Sequence, residues 1–207
     1  TGNEIYTQNV GWGAGGWGGV TTGYTSTGWG SPAPAGQGIG SQLRLWSETN
    51  YGEDLIFNPR GGAMYYWANS VSANVFNRGQ ILSPSGSITT KSGSIPIDSA
   101  CPSVANWVMI SDTSRFVIAF GCNDAVSGST TQDPLFIAWS DQQNIAVWYP
   151  SATNQAGSYR LSHGSQIITA IQTRQEILVL TDAAIYSMQY LGPPYVWGFQ
   201  LMGDNIS

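Results

Sequence analysis

From about Gln42 onward, apolar and polar positions alternate over short stretches, and clusters of Gly, Pro, Asn, Asp and Ser separate one stretch from the next. Successive side chains of an extended strand point to opposite faces, so this pattern predicts half-buried β-strands joined by turns. Leu43-Arg44-Leu45-Trp46 alternates first. Leu55-Ile56-Phe57-Asn58 and Ala63-Met64-Tyr65-Tyr66-Trp67 then flank Pro59-Arg60-Gly61-Gly62, an order that predicts a hairpin. Arg115-Phe116-Val117-Ile118-Ala119-Phe120 and Leu135-Phe136-Ile137-Ala138-Trp139 bracket a polar, Gly-containing loop. A third pair runs from Glu176-Ile177-Leu178-Val179-Leu180 through Thr181-Asp182-Ala183 to Ala184-Ile185-Tyr186-Ser187-Met188-Gln189-Tyr190, rich in β-branched and aromatic residues. Nowhere do apolar residues keep helical spacing for three turns, so little helix is expected.

The three hairpins recur. Leu55, Phe116 and Ile177 begin their first strands and stand 61 residues apart. Each hairpin has a strand before it, at Leu43–Trp46, Val108-Met109-Ile110-Ser111 and Ile167-Ile168-Thr169-Ala170-Ile171. A polar or Trp-containing strand follows, such as Ile145-Ala146-Val147-Trp148-Tyr149 or Val196-Trp197-Gly198-Phe199-Gln200-Leu201. Four strands per unit is the composition of a propeller blade. The fold class expected is therefore all-β: a β-propeller or partial propeller of about three four-stranded antiparallel blades over residues 41–207, behind a Gly/Trp-rich irregular arm over residues 1–40. Closed propellers generally have four to eight blades. The chain is accordingly expected to be a fragment of a longer polypeptide, starting at Thr1 and ending at Asp204-Asn205-Ile206-Ser207, or to have its open edges covered by other chains.

The arm differs in kind from the rest. Gly11-Trp12-Gly13, Gly16-Trp17-Gly18 and Gly28-Trp29-Gly30 recur in it, followed by Ser31-Pro32-Ala33-Pro34-Ala35-Gly36. Glycine loses much backbone entropy on folding, and few aliphatic side chains offset that loss, so the arm is not expected to fold alone. Indoles on a flexible backbone dock well into grooves, which makes Trp12, Trp17 and Trp29 the candidate partner contacts. Docking on protein is the expectation; glycan or membrane-surface contact, or plain disorder, are the alternatives.

Charge changes the picture next. Charged residues make up only 9% of the chain, against roughly a quarter in typical domains. Hydroxyl and amide groups are cheaper to desolvate than ions, so such a surface suits extended protein contacts. Net charge is −5, and the seven basic residues, Arg44, Arg60, Arg78, Lys91, Arg115, Arg160 and Arg174, stand singly. Without a basic stripe to neutralise phosphates, tight nucleic-acid binding is not expected. A weakly acidic surface could still let DNA slide past without sticking. No apolar run approaches the length of a membrane span, and no basic-then-apolar leader opens the chain, so a soluble protein without membrane insertion is expected.

Little in the chain carries catalytic chemistry. Cys101 and Cys122 match no metal-ligand spacing and the sole histidine is His163, so no metal site and no cofactor are predicted. Two buried reduced thiols are expected, with a single disulfide as the alternative. Asp112, Asp141 and Asp182 each sit near a turn, where a carboxylate that accepts backbone amides explains them without hydrolysis. His163, among small residues in Leu161-Ser162-His163-Gly164-Ser165, is expected in an exposed turn. A hydrolase would need two facing carboxyl groups or a serine, histidine and carboxylate meeting in space. Gly11-Trp12-Gly13-Ala14-Gly15-Gly16 lacks the flanking strand and helix of a dinucleotide site. Trp46, Trp67, Trp107, Trp139 and Trp148 fall in or beside predicted strands and are expected in core or inter-blade packing.

Several stretches taken in order resemble the tail nozzle proteins of podovirus-type phages, the tail tubular protein B and tail plug family. They are Leu45-Trp46-Ser47 with Tyr51-Gly52-Glu53-Asp54-Leu55-Ile56, Asn58-Pro59-Arg60-Gly61-Gly62, and Tyr65-Tyr66-Trp67. Asp133-Pro134-Leu135-Phe136-Ile137-Ala138-Trp139-Ser140-Asp141, Trp148-Tyr149-Pro150 and Thr173-Arg174-Gln175-Glu176-Ile177-Leu178-Val179 follow. Tyr186-Ser187-Met188-Gln189-Tyr190-Leu191-Gly192-Pro193-Pro194-Tyr195 closes the series, and together the stretches lie within roughly residues 11 to 207. The resemblance implies a non-enzymatic structural virion protein with a propeller body, made in the host bacterial cytoplasm. It implies a ring homo-oligomer, a hexamer, around the DNA exit channel, touching the tail adaptor and fibre or tip proteins, with DNA as non-specific cargo. Family members are much longer than this chain. The competing expectation is a Trp-rich module that binds a host-surface glycan.

Overall fold

A computed structural model describes residues 45–69, 78–112 and 114–204. The chain divides into two compact units, Thr1–Leu45 and Trp46–Ser207, and every described strand lies in the second. Trp12, Trp17 and Trp29 lie outside the described residues, so nothing tests their expected role as partner contacts.

Among the described residues the fold is all-β, without helix. Strands β1 (Trp46–Tyr51), β2 (Asp54–Pro59), β3 (Met64–Trp67) and β4 (Gln80–Leu82) form one sheet, followed by a separate hairpin of β5 (Ser87–Thr90) and β6 (Gly93–Pro96). A second sheet holds β7 (Trp107–Ile110), β8 (Val117–Phe120), β9 (Phe136–Trp139) and β10 (Gly157–Arg160). The third holds β11 (Ile167–Gln172), β12 (Ile177–Thr181), β13 (Ala184–Gly192) and β14 (Val196–Asp204). Each four-stranded sheet is a meander, with antiparallel neighbours in chain order. None of the four sheets closes on itself into a barrel.

The hairpins at Leu55, Phe116 and Ile177 are thus the two central strands of three like sheets. Two flanking strands differ from the sequence reading. The first strand runs over Trp46–Tyr51, beyond the Leu43–Trp46 expected, because Tyr51-Gly52-Glu53-Asp54 turns tightly into β2 with Gly52 in the left-handed region. Ile145–Tyr149 is turn and bend, and Gly157–Arg160 takes the outer position beside β9 instead. The Ile145 stretch is held as a loop by Asp98, whose carboxylate accepts the amides of Trp148 (2.5 Å), Tyr149 (2.8 Å) and Ala100 (3.0 Å). Trp148 is buried beneath that loop, its indole donating to the Ile145 carbonyl. Such an apolar run reads as a strand by pattern, but its amides are satisfied by a side chain from a distant turn.

Stacking of sheets makes the core. In an antiparallel pair, residues opposite each other share a face. Rows Val108-Ala119-Ala138 and Ile110-Val117 of the second sheet face one cluster, together with Ile56, Met64, Tyr66 and Leu82 of the first sheet. Rows Trp107-Phe120-Ile137 and Met109-Ile118-Trp139 face the other, against Ile177, Val179, Tyr186 and Met188 of the third. The second sheet is therefore the middle layer of three and is buried on both faces. Polar bonds tie the layers as well: the Val108 amide donates to Ser47 Oγ at 3.0 Å, and Arg60 donates to the Ile168 carbonyl at 3.2 Å. The first strands of the three meanders lie near one another, with β7 packed against β1 and against β11.

Candidate functional site

Two surfaces of the second unit stand out, and each follows from the layering. The first is the face of the first sheet that points away from the middle layer. Its rows are Glu48-Phe57-Tyr65-Ile81 and Asn50-Leu55-Trp67, with Trp46 at the edge. Phe57 stacks on Tyr65 with ring centroids 5.3 Å apart, and Trp46 tilts against Phe57 at 6.1 Å. Trp46 is 52% exposed and Ile81 46%. An aromatic ribbon of this kind, not covered by any described sheet, has the character of an interface core. The opposite end of the stack shows a milder version, with Ile171 on the outward row Ile171-Leu178-Ser187-Gln200 of the third sheet also exposed.

The second surface is a cleft of about 410 Å³ at one end of the first two sheets, lined by Asn50, Tyr51, Gly52, Ile110, Ser111, Asp112, Arg115 and Gln143. Three turns build it. The β1–β2 turn contributes Tyr51 and Gly52, the β7–β8 connection Ser111, Asp112 and Arg115, and the Asp141–Asn144 turn Gln143. Its floor is fixed by short-range bonds: the Arg115 amide donates to the Ser111 carbonyl, the Gln143 amide to the Arg115 carbonyl, and the hydroxyls of Ser111 and Ser114 are paired. Arg115 and Gln143 both sit in the left-handed region, at φ 53° and 57°. That conformation is unfavourable for a side chain other than glycine or asparagine. Burial raises the pKa of the Tyr51 hydroxyl and keeps it protonated, with Arg115 opposing the shift and Asp54 adding to it.

The residues singled out by sequence fall into separate places. Asp141 accepts the Gln155 amide at 2.8 Å, and Asp182 accepts the amides of Ser165 (2.7 Å) and Gln166 (3.4 Å) as well as the Ser165 hydroxyl. Those bonds hold the Asp182 carboxyl below its ordinary pKa. Both carboxylates therefore fasten backbone, though of a neighbouring loop and not of their own turn. Asp112 does not: it is exposed in the cleft and accepts no hydrogen bond among the described residues. His163 is exposed in its turn, with Nδ1 at 2.9 Å from Ser162 Oγ and 3.2 Å from the Tyr186 hydroxyl. The third group at that histidine is a phenol, where a nucleophilic triad would need a carboxylate.

Cys101 and Cys122 are free and buried, and burial pushes both thiols well above their ordinary range. Among the described residues no group of three or more His, Cys, Asp or Glu side chains is placed to hold a metal ion. No described helix is long and apolar enough to cross a membrane. Of the tryptophans expected in packing, Trp139 and Trp148 are buried and Trp107 packs on the second cluster, whereas Trp46 and Trp67 lie on the outward face of the first sheet. The cleft itself escaped the sequence reading, because its residues come from three turns and no one stretch carries it. No protein-family model matches the chain, and no curated protein matches its sequence.

Proposed function

We propose that the chain is a structural protein of a short-tailed phage virion, made of three consecutive blades of a β-propeller and working by shape within the tail nozzle ring. The observation that carries this reading is the layering. Three like meanders stack face to face, their first strands lie side by side, and the stack ends in an aromatic ribbon on the first sheet. Blades of a propeller stack in this manner around an axis lined by first strands. An apolar outward face of this sort requires a neighbour, whether a further blade or another subunit, as expected for a part of an assembly. The uncharged polar surface is consistent with broad protein contacts, and the net charge of −5 with a channel that does not retain DNA.

On this reading the chain is not an enzyme, and its partners are copies of itself, the tail adaptor above and fibre or tip proteins below. Cryo-electron microscopy of purified particles tests it directly. The expected result is density for the three stacked sheets within a ring on the tail axis. Their absence from the tail, with the protein detected only in the host cell, would overturn the proposal.

A further inference from the structure

We propose that the cleft between the β1–β2 turn, the β7–β8 connection and the Asp141–Asn144 turn binds a neutral saccharide. The inference does not rest on the assembly reading: of the cleft's lining residues only Asn50 also belongs to an outward row of the first sheet. Its volume of about 410 Å³ falls in the range of small-ligand sites. What marks it as a site is the convergence of polar groups from separate turns. The exposed side chains of Asn50, Asp112, Arg115 and Gln143 line one cavity, and none of them is committed to a hydrogen bond or ion pair within the described chain. Elsewhere in the same unit, turn carboxylates such as Asp98, Asp141 and Asp182 are engaged with backbone amides.

Backbone geometry supplies an independent observation. Of the four described non-glycine residues with positive φ, Arg115 and Gln143 line this cleft, together with Gly52, while Ser85 and Val196 lie elsewhere. Strain of this kind clusters at binding sites, where a side chain must be presented in a fixed direction. Neither side chain contributes an internal bond that would explain keeping it there.

The donor and acceptor set selects the chemistry of the ligand. Asp112 accepts only, Arg115 donates only, and the amides of Asn50 and Gln143 do both. Their charges, one negative and one positive, cancel. An anion such as phosphate would face the Asp112 carboxylate, and an isolated ammonium would face Arg115. Sugar hydroxyls donate and accept at once, so a neutral sugar satisfies all four groups without burying an unmatched charge. Tyr51, whose ring packs on the first core cluster, completes the lining beside them. A zwitterionic amino acid would match the two charges but leave the two amides without use.

Saturation-transfer NMR on the full chain decides the matter, using glucose, galactose, mannose, their N-acetyl forms and the corresponding disaccharides as probes. At least one should respond with millimolar affinity. Arg115→Ala and Asp112→Ala should each weaken it by about tenfold. Thermal melts of both variants should match the parent, because neither side chain bonds within the fold, and this separates lost binding from lost structure. Three outcomes overturn the proposal: silence across the whole panel, a response unchanged in both folded variants, or selective binding of glycine or inorganic phosphate with no sugar bound.

Discussion

The second sheet and the first share one topology, a four-stranded antiparallel meander, yet they differ in what surrounds them. In β8 all four residues, Val117 to Phe120, are buried, because a sheet lies on each side. In β2 and β3 burial alternates, with Ile56, Asn58, Met64 and Tyr66 enclosed and Leu55, Phe57, Tyr65 and Trp67 only half-buried. The amino-acid pattern of Leu55-Ile56-Phe57 and Met64-Tyr65-Tyr66-Trp67 is nonetheless as continuously apolar as that of β8. Continuous apolar strands are the pattern of sheets covered on both faces. The first sheet thus carries the apolar pattern of an inner sheet while occupying the end of the described stack, and that mismatch underlies the proposal that another surface covers it.

Core truncation should produce the largest effect. Phe120→Ala in the middle sheet removes a fully buried ring from the second core cluster and should lower unfolding free energy by about 3–5 kcal/mol. The double change Trp46→Ser and Ile81→Ser on the outward ribbon should cost no more than about 1 kcal/mol. Urea denaturation of both variants measures the contrast, and equal losses would break it. Sedimentation should show the ribbon variant less associated than the parent, sharpening the contrast from the other side.

Asp98→Ala comes next in size. It deprives the Ala100, Trp148 and Tyr149 amides of their acceptor and should cost about 1–3 kcal/mol, since the loop over the first core cluster loses its anchor. Hydrogen exchange at Trp148 and Tyr149 should accelerate in step; unchanged exchange would mean that the loop is held by packing alone.

Gln143→Gly should act in the opposite direction. Relief of the left-handed backbone should stabilise the fold by up to about 1 kcal/mol, because no internal bond of the side chain is lost. A destabilised variant would show that the cleft has a structural duty.

Acid should expose the smallest difference. The depressed carboxyl of Asp182 contributes stability that is complete above its unfolded value, near 3.8, and is lost as pH falls through the lower folded value. Glu176 behaves alike, with its carboxylate accepting from Ser187 and Gln189. Both lie in or beside the third sheet, so acid should loosen β11–β14 before the middle sheet. Asp182→Asn should flatten that part of the pH profile in thermal melts, and an unaltered profile would remove Asp182 from the account.

How much was legible in advance varies by element. The hairpins at Leu55, Phe116 and Ile177 were readable because alternation and turn residues are local signals, and so was the strand before each of the last two. Ile145–Tyr149 misled, since an apolar run with a buried Trp looks like a strand until Asp98, far away in sequence, takes its amides. The β5–β6 hairpin gave too weak a pattern, Ser87-Ile88-Thr89-Thr90 being mostly polar and short. Asp112 was grouped with Asp141 and Asp182 by its turn context, and only the packing of three separate loops distinguishes it.

The amino-acid order by itself determined the all-β character, the three-fold recurrence and the low charge, because strand period, turn chemistry and composition act over a few residues. Which sheet became the middle layer, which tryptophans faced outward and which turns met at the cleft were decided only in three dimensions. Those outcomes depend on contacts between residues far apart in the chain, and alternation along one strand carries no information about what lies across from its two faces.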